Sequence, residues 1–314
     1  MSLDPLAKRF LAMTAAGTAR VTKDVSTAAR RESLVKLMQF AAADNLTKIA
    51  IDGFLPGASS PIPFRFYIPS YVEAQVSPGL LFMHGGGFVA GSIETHDVIC
   101  RALAEESGCR ILSIDYRLAP EFPFPAAIED AMAATSWMFE NAERLAIDTN
   151  KIGISGDSAG ATLAAIVSQE FGLLDRVPRI KLQCLICPVL DFAQDWPSRR
   201  EFASGFLIDA ETLAADFADY CSSSVRKDDP LISPLQGISF RHLPRTIIHT
   251  AECDPLRDEG NSYAERLSAS NVDVLHHCHP GMVHNFHALG KILPQGRAVL
   301  KQIGLQIRNS MAEG

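Results

Sequence analysis

The sequence predicts an α/β fold: a mostly parallel eight-stranded sheet with helices on both faces and a helical cap. Three observations point to it. Beyond the first 45 residues or so, short apolar runs alternate with segments of helical period, the pattern of strand–helix–strand units. Those runs are apolar throughout rather than alternating with polar residues, as expected of strands covered on both faces. Finally, Gly156-Asp157-Ser158-Ala159-Gly160 stands where one such run, Lys151-Ile152-Gly153-Ile154-Ser155, turns sharply into a helix.

Each element follows from its own residues. Residues 1–45 read as helical, with Leu6, Phe10 and Met13 at i, i+4, i+7 and a second apolar face at Val35 and Met38. Residues 46–314 form the main domain. Lys48 to Gly53 and Phe64 to Ile68 are expected strands, divided by the turn-rich Pro56-Gly57-Ala58-Ser59-Ser60-Pro61. No helix lies between them, so they should pair antiparallel at an edge. Further strands are expected at Leu80–Met83, Arg110–Asp115, Lys151–Ser155, Lys181–Cys187, Thr246–Ala251 and Val272–His277. Helices should fill the gaps near 97–107, 126–142, 159–172, 260–270 and 295–309. The interval 191–239 carries no core strand. It holds one helix, Asp209 to Cys221, with Leu213, Phe217 and Tyr220 on one face. This insertion and the first 45 residues are the expected cap over the sheet's functional edge.

Bulk properties narrow the function. The chain has 314 residues, 47% hydrophobic, enough for a sizeable core. Net charge is −7 and no Lys/Arg block stands out, which argues against nucleic-acid or membrane-surface partners. No signal peptide and no apolar run of membrane-spanning length is expected. The seven cysteines are odd in number and irregularly spaced. Cys184 and Cys187 make a C-x-x-C inside an apolar run, where buried free thiols are the expectation, and the whole suggests a reducing cytoplasm. Asn45-Leu46-Thr47 is a glycosylation sequon, relevant only to an exported protein.

The chemistry-bearing residues are read next. A serine hydroxyl needs a base, and the base an orienting carboxylate. In a sheet of this kind they should follow in the order Ser, acid, His. Ser158 is the candidate nucleophile. His284 is the best-placed base, after the last strand in the loop Pro280-Gly281-Met282-Val283-His284-Asn285-Phe286. Asp254 stands just past a strand end with Pro255 fixing the turn, and Glu252 and Asp258 are the alternatives. His249 should be packed within its strand. His276, His277 and His279 invite a metal reading, but no carboxylate shares their spacing, and no metal or cofactor is expected. The loop His84-Gly85-Gly86-Gly87-Phe88 can bring bare amides to a developing oxyanion. Gly86, Gly87 and Ala159 are its expected donors. A dinucleotide-binding reading of Gly85-x-Gly87-x-x-Ala90 is disfavoured, because Asp115 lies too far along the chain for a ribose contact.

Five ordered pieces carry a resemblance: HGGGFVAGS (84–92), DYRLAPEFPFPAA (115–127), GDSAG (156–160), DPLRDEG (254–260) and the loop around His284. Together they resemble the hormone-sensitive lipase-like group of α/β-hydrolases, the bacterial family IV esterases, from about Ile51 onward. The resemblance implies that Ser158 is the nucleophile, His284 the base, Asp254 its orienter and Gly86, Gly87 and Ala159 the oxyanion hole. It implies that His84 helps hold the glycine loop and that Arg117, Glu121 and Asp130 hold the corner after Asp115. Two departures stand out, Phe122 where the family often has His and Asn285 where it often has Gly. The activity implied is hydrolysis of short- to medium-chain carboxylic esters through an acyl-serine intermediate. The rivals are a deacetylase or amidase for one small molecule, and a non-catalytic receptor like the plant gibberellin receptors. Phe10, Phe88, Phe206 and Leu207 are the expected pocket lining. Pairing of two copies through the last strand is a further implication.

Overall fold

The computed structural model describes residues 3–17, 25–41, 49–72, 75–174 and 178–313. The sequon at 45–47 lies outside them, as do parts of the N-terminal segment. Eight strands form one sheet: β1 (Ile49–Leu55), β2 (Ile62–Ile68), β3 (Ser77–Met83), β4 (Arg110–Ile114), β5 (Ile147–Asp157), β6 (Leu182–Ile186), β7 (Arg245–Cys253) and β8 (Val274–Val283). The helices are α1 (Pro5–Gly17), α2 (Thr27–Ala41), α3 (Ile93–Ser107), α4 (Ala126–Glu140), α5 (Ala159–Leu173), α6 (Pro197–Glu201), α7 (Ala210–Tyr220), α8 (Arg257–Ala269) and α9 (Pro294–Ala312).

Strand order is β1-β2-β4-β3-β5-β6-β7-β8. The expected antiparallel edge is present: β1 pairs antiparallel with β2, and β2 with β4, while every other pair is parallel. β4 and β6 are buried at all five positions, which is why they read as unbroken apolar runs. Two apolar clusters sandwich the sheet. One gathers α4, α5 and α8 around Leu81, Ile154 and Leu185, the other α3 and α9 around Leu80, Phe82 and Ile186.

Two boundaries differ from expectation for physical reasons. α3 starts at Ile93 rather than near 97. Ser92 accepts from the Thr95 amide at 3.2 Å while Thr95 Oγ1 accepts from the Ser92 amide at 2.9 Å, a reciprocal cap. That first turn, Ile93-Glu94-Thr95-His96, has too few apolar residues to show a periodic face. β8 runs to Val283, six residues past the expected end. It crosses Pro280 and Gly281 because it is the sheet's outer strand, where a missing N–H is tolerated. Among the described residues no helix is long and apolar enough to cross a membrane. All seven cysteines are free thiols.

Histidines buried in this frame carry a measurable consequence. His249, on β7, lies with its Nδ1 2.7 Å from His279 Nε2 and its Nε2 2.8 Å from Gln306 Oε1, and the Gln306 amide meets His277 at 2.8 Å. With the Gln306 amide oxygen facing His249, the chain is satisfied when His279 donates to His249, His249 to Gln306 and Gln306 to His277. Burial and the neighbouring His279 push His249 down to about 3. Burial likewise lowers His84 to about 3 and His287 to about 4. The unfolded chain binds these protons near pH 6.5 and the folded one does not, so stability falls as pH drops from about 6.5 towards 4. Each such ring contributes about 1.4 kcal/mol per pH unit. Glu259 and Asp216, both raised to about 7 by burial, act in the opposite sense. Urea unfolding between pH 7 and 4.5 is therefore expected to show a shallower loss of stability in His249→Gln than in the wild type, by about one proton. Equal slopes would mean that His249 is protonated in the fold.

Candidate active site

The sheet register brings the candidate side chains together. Met83 lies beside Gly156 at the β3–β5 border, so the glycine loop after β3 and the serine turn after β5 leave the sheet as neighbours. At the β7–β8 border the register shifts between Ala251 and Cys253, pairing Cys253 with Val283. The next residue on each strand is Asp254 and His284.

Ser158 sits between β5 and α5 at φ 51°, ψ −119°, a conformation rare for any residue with a side chain. The flanking glycines permit it. A Cβ on Gly156 would lie 2.4 Å from the Gly160 carbonyl, and one on Gly160 would lie 2.0 Å from the Met83 carbonyl oxygen. The Ser158 amide donates to the Ile186 carbonyl at 2.8 Å, anchoring the turn to β6.

His284 Nε2 lies 3.1 Å from Ser158 Oγ, and its Nδ1 lies 2.8 Å from Asp254 Oδ2. The other oxygen of Asp254 accepts from the Leu256 amide at 2.9 Å. The carboxylate thus fixes the proton on Nδ1 and leaves Nε2 free to accept from the serine. Ser158, His284 and Asp254 are 7%, 2% and 1% exposed. Water is largely shut out, which strengthens each interaction. Cys187 packs against the same carboxylate, with ligand-type atoms of Cys187, Asp254 and His284 within 4.8 Å of one another. Burial and the Asp254 charge push its thiol up, so it stays protonated there.

Facing Ser158 is the glycine loop. Among the described residues, the amides of Gly86, Gly87 and Ala159 donate to no protein acceptor. Gly86 (φ 124°) and Gly87 (φ 64°) adopt left-handed conformations that turn their amides out of the loop's own bonding. Asp157 clamps the loop from below: its carboxylate accepts from the Gly85 amide at 3.0 Å and lies 3.3 Å from His96. Burial would raise that carboxyl, but His96 outweighs it and holds it at about 2. His84 stacks on Tyr116 at 4.3 Å, and the Tyr116 hydroxyl donates to the His84 carbonyl at 2.7 Å. Asp115 accepts from the Ile93 amide at 2.6 Å, at the start of α3.

The sequence matches, over residues 80–288, a family described as the alpha/beta hydrolase fold. The chain belongs to the α/β-hydrolase family. It is similar to an ethyl acetate hydrolase of Pseudomonas putida, at 36% identity over 235 residues and 74% of each chain. It is similar to the esterase LipI of Mycobacterium tuberculosis, at 37% over 247 residues, 78% of this chain and 77% of that one. The solved structure of the ester-hydrolase EH1AB1 from the metagenome of Lake Arreo, in complex with a bipyridine phosphonate derivative, matches with a TM-score of 0.94 at 35% identity. It covers 98% of both chains. These relatives belong with the hormone-sensitive lipase-like, family IV branch of the hydrolases.

Other expected residues of this hydrolase fall as follows. Phe88 is buried and stacked on Tyr220 of α7 at 4.0 Å. Phe206 packs edge-on against Phe202 at 4.8 Å, beside Cys253 and Val283. Leu207 is half-buried at φ 77°, and Phe10 is buried in the α3–α9 cluster. Arg117 grips Asp130 at 2.9 Å and Glu129 at 2.8 Å. Glu121 instead pairs with Arg31 of α2 at 2.6 Å. Glu252 accepts from the Gly281 amide at 2.7 Å, and Asp258 from the Ser198 amide at 2.8 Å, so neither alternative acid meets His284. His276 lies 3.1 Å from the Thr250 hydroxyl, while His277 and His279 serve the Gln306 and His249 contacts described above.

Several contacts escaped sequence reasoning. Arg31 donates to the carbonyls of Val89 at 2.7 Å and Ala119 at 3.0 Å, strapping α2 to the glycine loop. Arg30 pairs with both Asp216 and Asp219 of α7. Buried Glu259 accepts from the amides of Leu190 at 2.8 Å and Asp191 at 2.6 Å. The Arg30 and Arg31 contacts join segments far apart in the chain, and no periodicity or motif marks them.

Proposed function

We propose that this chain hydrolyses short- to medium-chain carboxylic esters through an acyl-serine intermediate, with Ser158 as nucleophile, His284 as base and Asp254 as its orienter. The observation that carries it is the continuous 3.1 and 2.8 Å relay from Ser158 through His284 to Asp254, opposite three uncommitted amides. His284 removes the serine proton as Oγ attacks the ester carbonyl. The oxyanion that forms is held by the amides of Gly86, Gly87 and Ala159, each donor contributing roughly 10²–10³ in rate. The imidazolium then gives its proton to the leaving alcohol, and water repeats the cycle on the acyl-enzyme. No step in this scheme needs a cofactor. The α1–α2 segment and the 191–239 interval with α6 and α7 serve as the cap, supported by the Arg30 and Arg31 contacts. The outer edge of β8 is the place for pairing with a second copy.

The complete relay favours an enzyme over a receptor. A p-nitrophenyl ester series from acetate to palmitate tests the reading. Turnover is expected to be highest for acyl chains of about two to eight carbons and to fall steeply for palmitate, because Ser158, His284 and Asp254 are all buried. Tight binding of a small ligand without turnover of any ester would support the receptor instead.

A further inference from the structure

The roof of the site holds a carboxylate with an oxygen to spare. α7 is docked onto the glycine loop by the Tyr220–Phe88 stack. Asp216 stands one helical turn before Tyr220, on the same face. It therefore falls on the residue before Phe88. A Cβ built on Gly87 would lie 2.1 Å from Asp216 Oδ2, so this oxygen packs against the Gly87 Cα, next to one of the three uncommitted amides. Oδ1 is taken by Arg30, which also holds Asp219, and Thr27 Oγ1 lies 3.3 Å from Asp219. Among the described residues, nothing donates to Asp216 Oδ2. Its side chain is 15% exposed, so the carboxyl keeps only a narrow opening to solvent.

A carboxyl oxygen with no protein donor and only a narrow opening to water is less favourable than a paired one. Above a pH of about 7, where Asp216 is ionised, its charge beside Gly87 would also oppose the forming oxyanion when a plain hydrocarbon ester is bound. Both problems vanish if the substrate brings a donor to it. We propose that Asp216 sets substrate choice, favouring carboxylic esters that carry a hydroxyl or ammonium group within reach of Oδ2 beside Gly87. This rests on the ester-hydrolase reading above and names the substrate class for that same site. Such a site discriminates strongly, because the analogue lacking the donor leaves the buried acceptor unpaired.

The test compares esters in which a hydroxyl replaces a methyl group. On the acyl side these are p-nitrophenyl 3-hydroxybutyrate, as both enantiomers, and 3-methylbutyrate. On the alcohol side they are 2-hydroxyethyl and propyl butyrate. In at least one pair, the hydroxyl-to-methyl ratio of kcat/KM is expected to fall by about tenfold or more in Asp216→Leu. A loosened cap would slow both members alike and leave the ratio unmoved. Asp216→Asn keeps the shape; its oxygen stays on Arg30 and its NH₂ takes the Oδ2 place, where a substrate hydroxyl can still pair by accepting and an ammonium cannot. The variant should retain most of the hydroxyl preference while losing about tenfold on ethyl 3-aminobutyrate relative to ethyl 3-methylbutyrate, and it carries the test if the leucine variant does not fold. Ratios within about twofold of wild type in every pair overturn the proposal while leaving ester hydrolysis intact. If the wild type turns over no ester at all, the hydrolase reading falls and the proposal with it.

Discussion

Replacing Ser158 by alanine is expected to lower kcat for ester hydrolysis by about 10⁴–10⁶-fold, with little change in fold. The substitution removes one oxygen from a residue that is already 7% exposed. It leaves the backbone anchor to Ile186 and the clash-free glycines untouched. The remaining rate would come from the uncommitted amides and from substrate positioning, which act without a nucleophile. The measurement is steady-state turnover of p-nitrophenyl butyrate beside a circular dichroism spectrum. A folded variant that keeps more than about a tenth of the wild-type rate would show that another group attacks the ester, since loss of a triad nucleophile costs far more.

Asp254→Asn is the second large effect, expected at about 10⁴-fold in kcat. The amide would still fill the space and could still bond His284 Nδ1, but through its NH₂ group it favours the tautomer with the proton on Nε2. That proton would point at the Ser158 hydroxyl, where an acceptor is needed. Glu252→Gln and Asp258→Asn serve as controls. Glu252 holds the Gly281 amide and Asp258 the Ser198 amide, so their losses act only through loop position and should be smaller by about two orders of magnitude. A Glu252→Gln variant as slow as Asp254→Asn would transfer the orienting role.

Much of the site was legible because its residues follow strand ends, and strand ends are marked by apolar runs that stop. Ser158, the glycine loop and His284 each stand just past such a run. The choice among Glu252, Asp254 and Asp258 was harder. It depends on the register shift between Ala251 and Cys253, which sets Asp254 level with His284 and turns Glu252 towards Gly281. A shift of one position leaves no trace in composition or period. β8 looks shorter in the sequence for a related reason: Pro280 and Gly281 resemble a loop unless the strand is known to lie at the rim of the sheet. The charged roof was illegible. Arg30 and Asp216 are separated by 186 positions, and each taken alone resembles an ordinary solvated charge on a helix. Only docking of α7 on Phe88 makes them neighbours of Gly87.

Arg31 bears on how the enzyme can be altered. Its guanidinium runs from the second helix to the carbonyl of Val89, two residues beyond the amide of Gly87. Whatever displaces the second helix therefore bears on the glycine loop. A substitution at position 31 that shortens this reach would register as a slower enzyme, although nothing had been changed beside the serine.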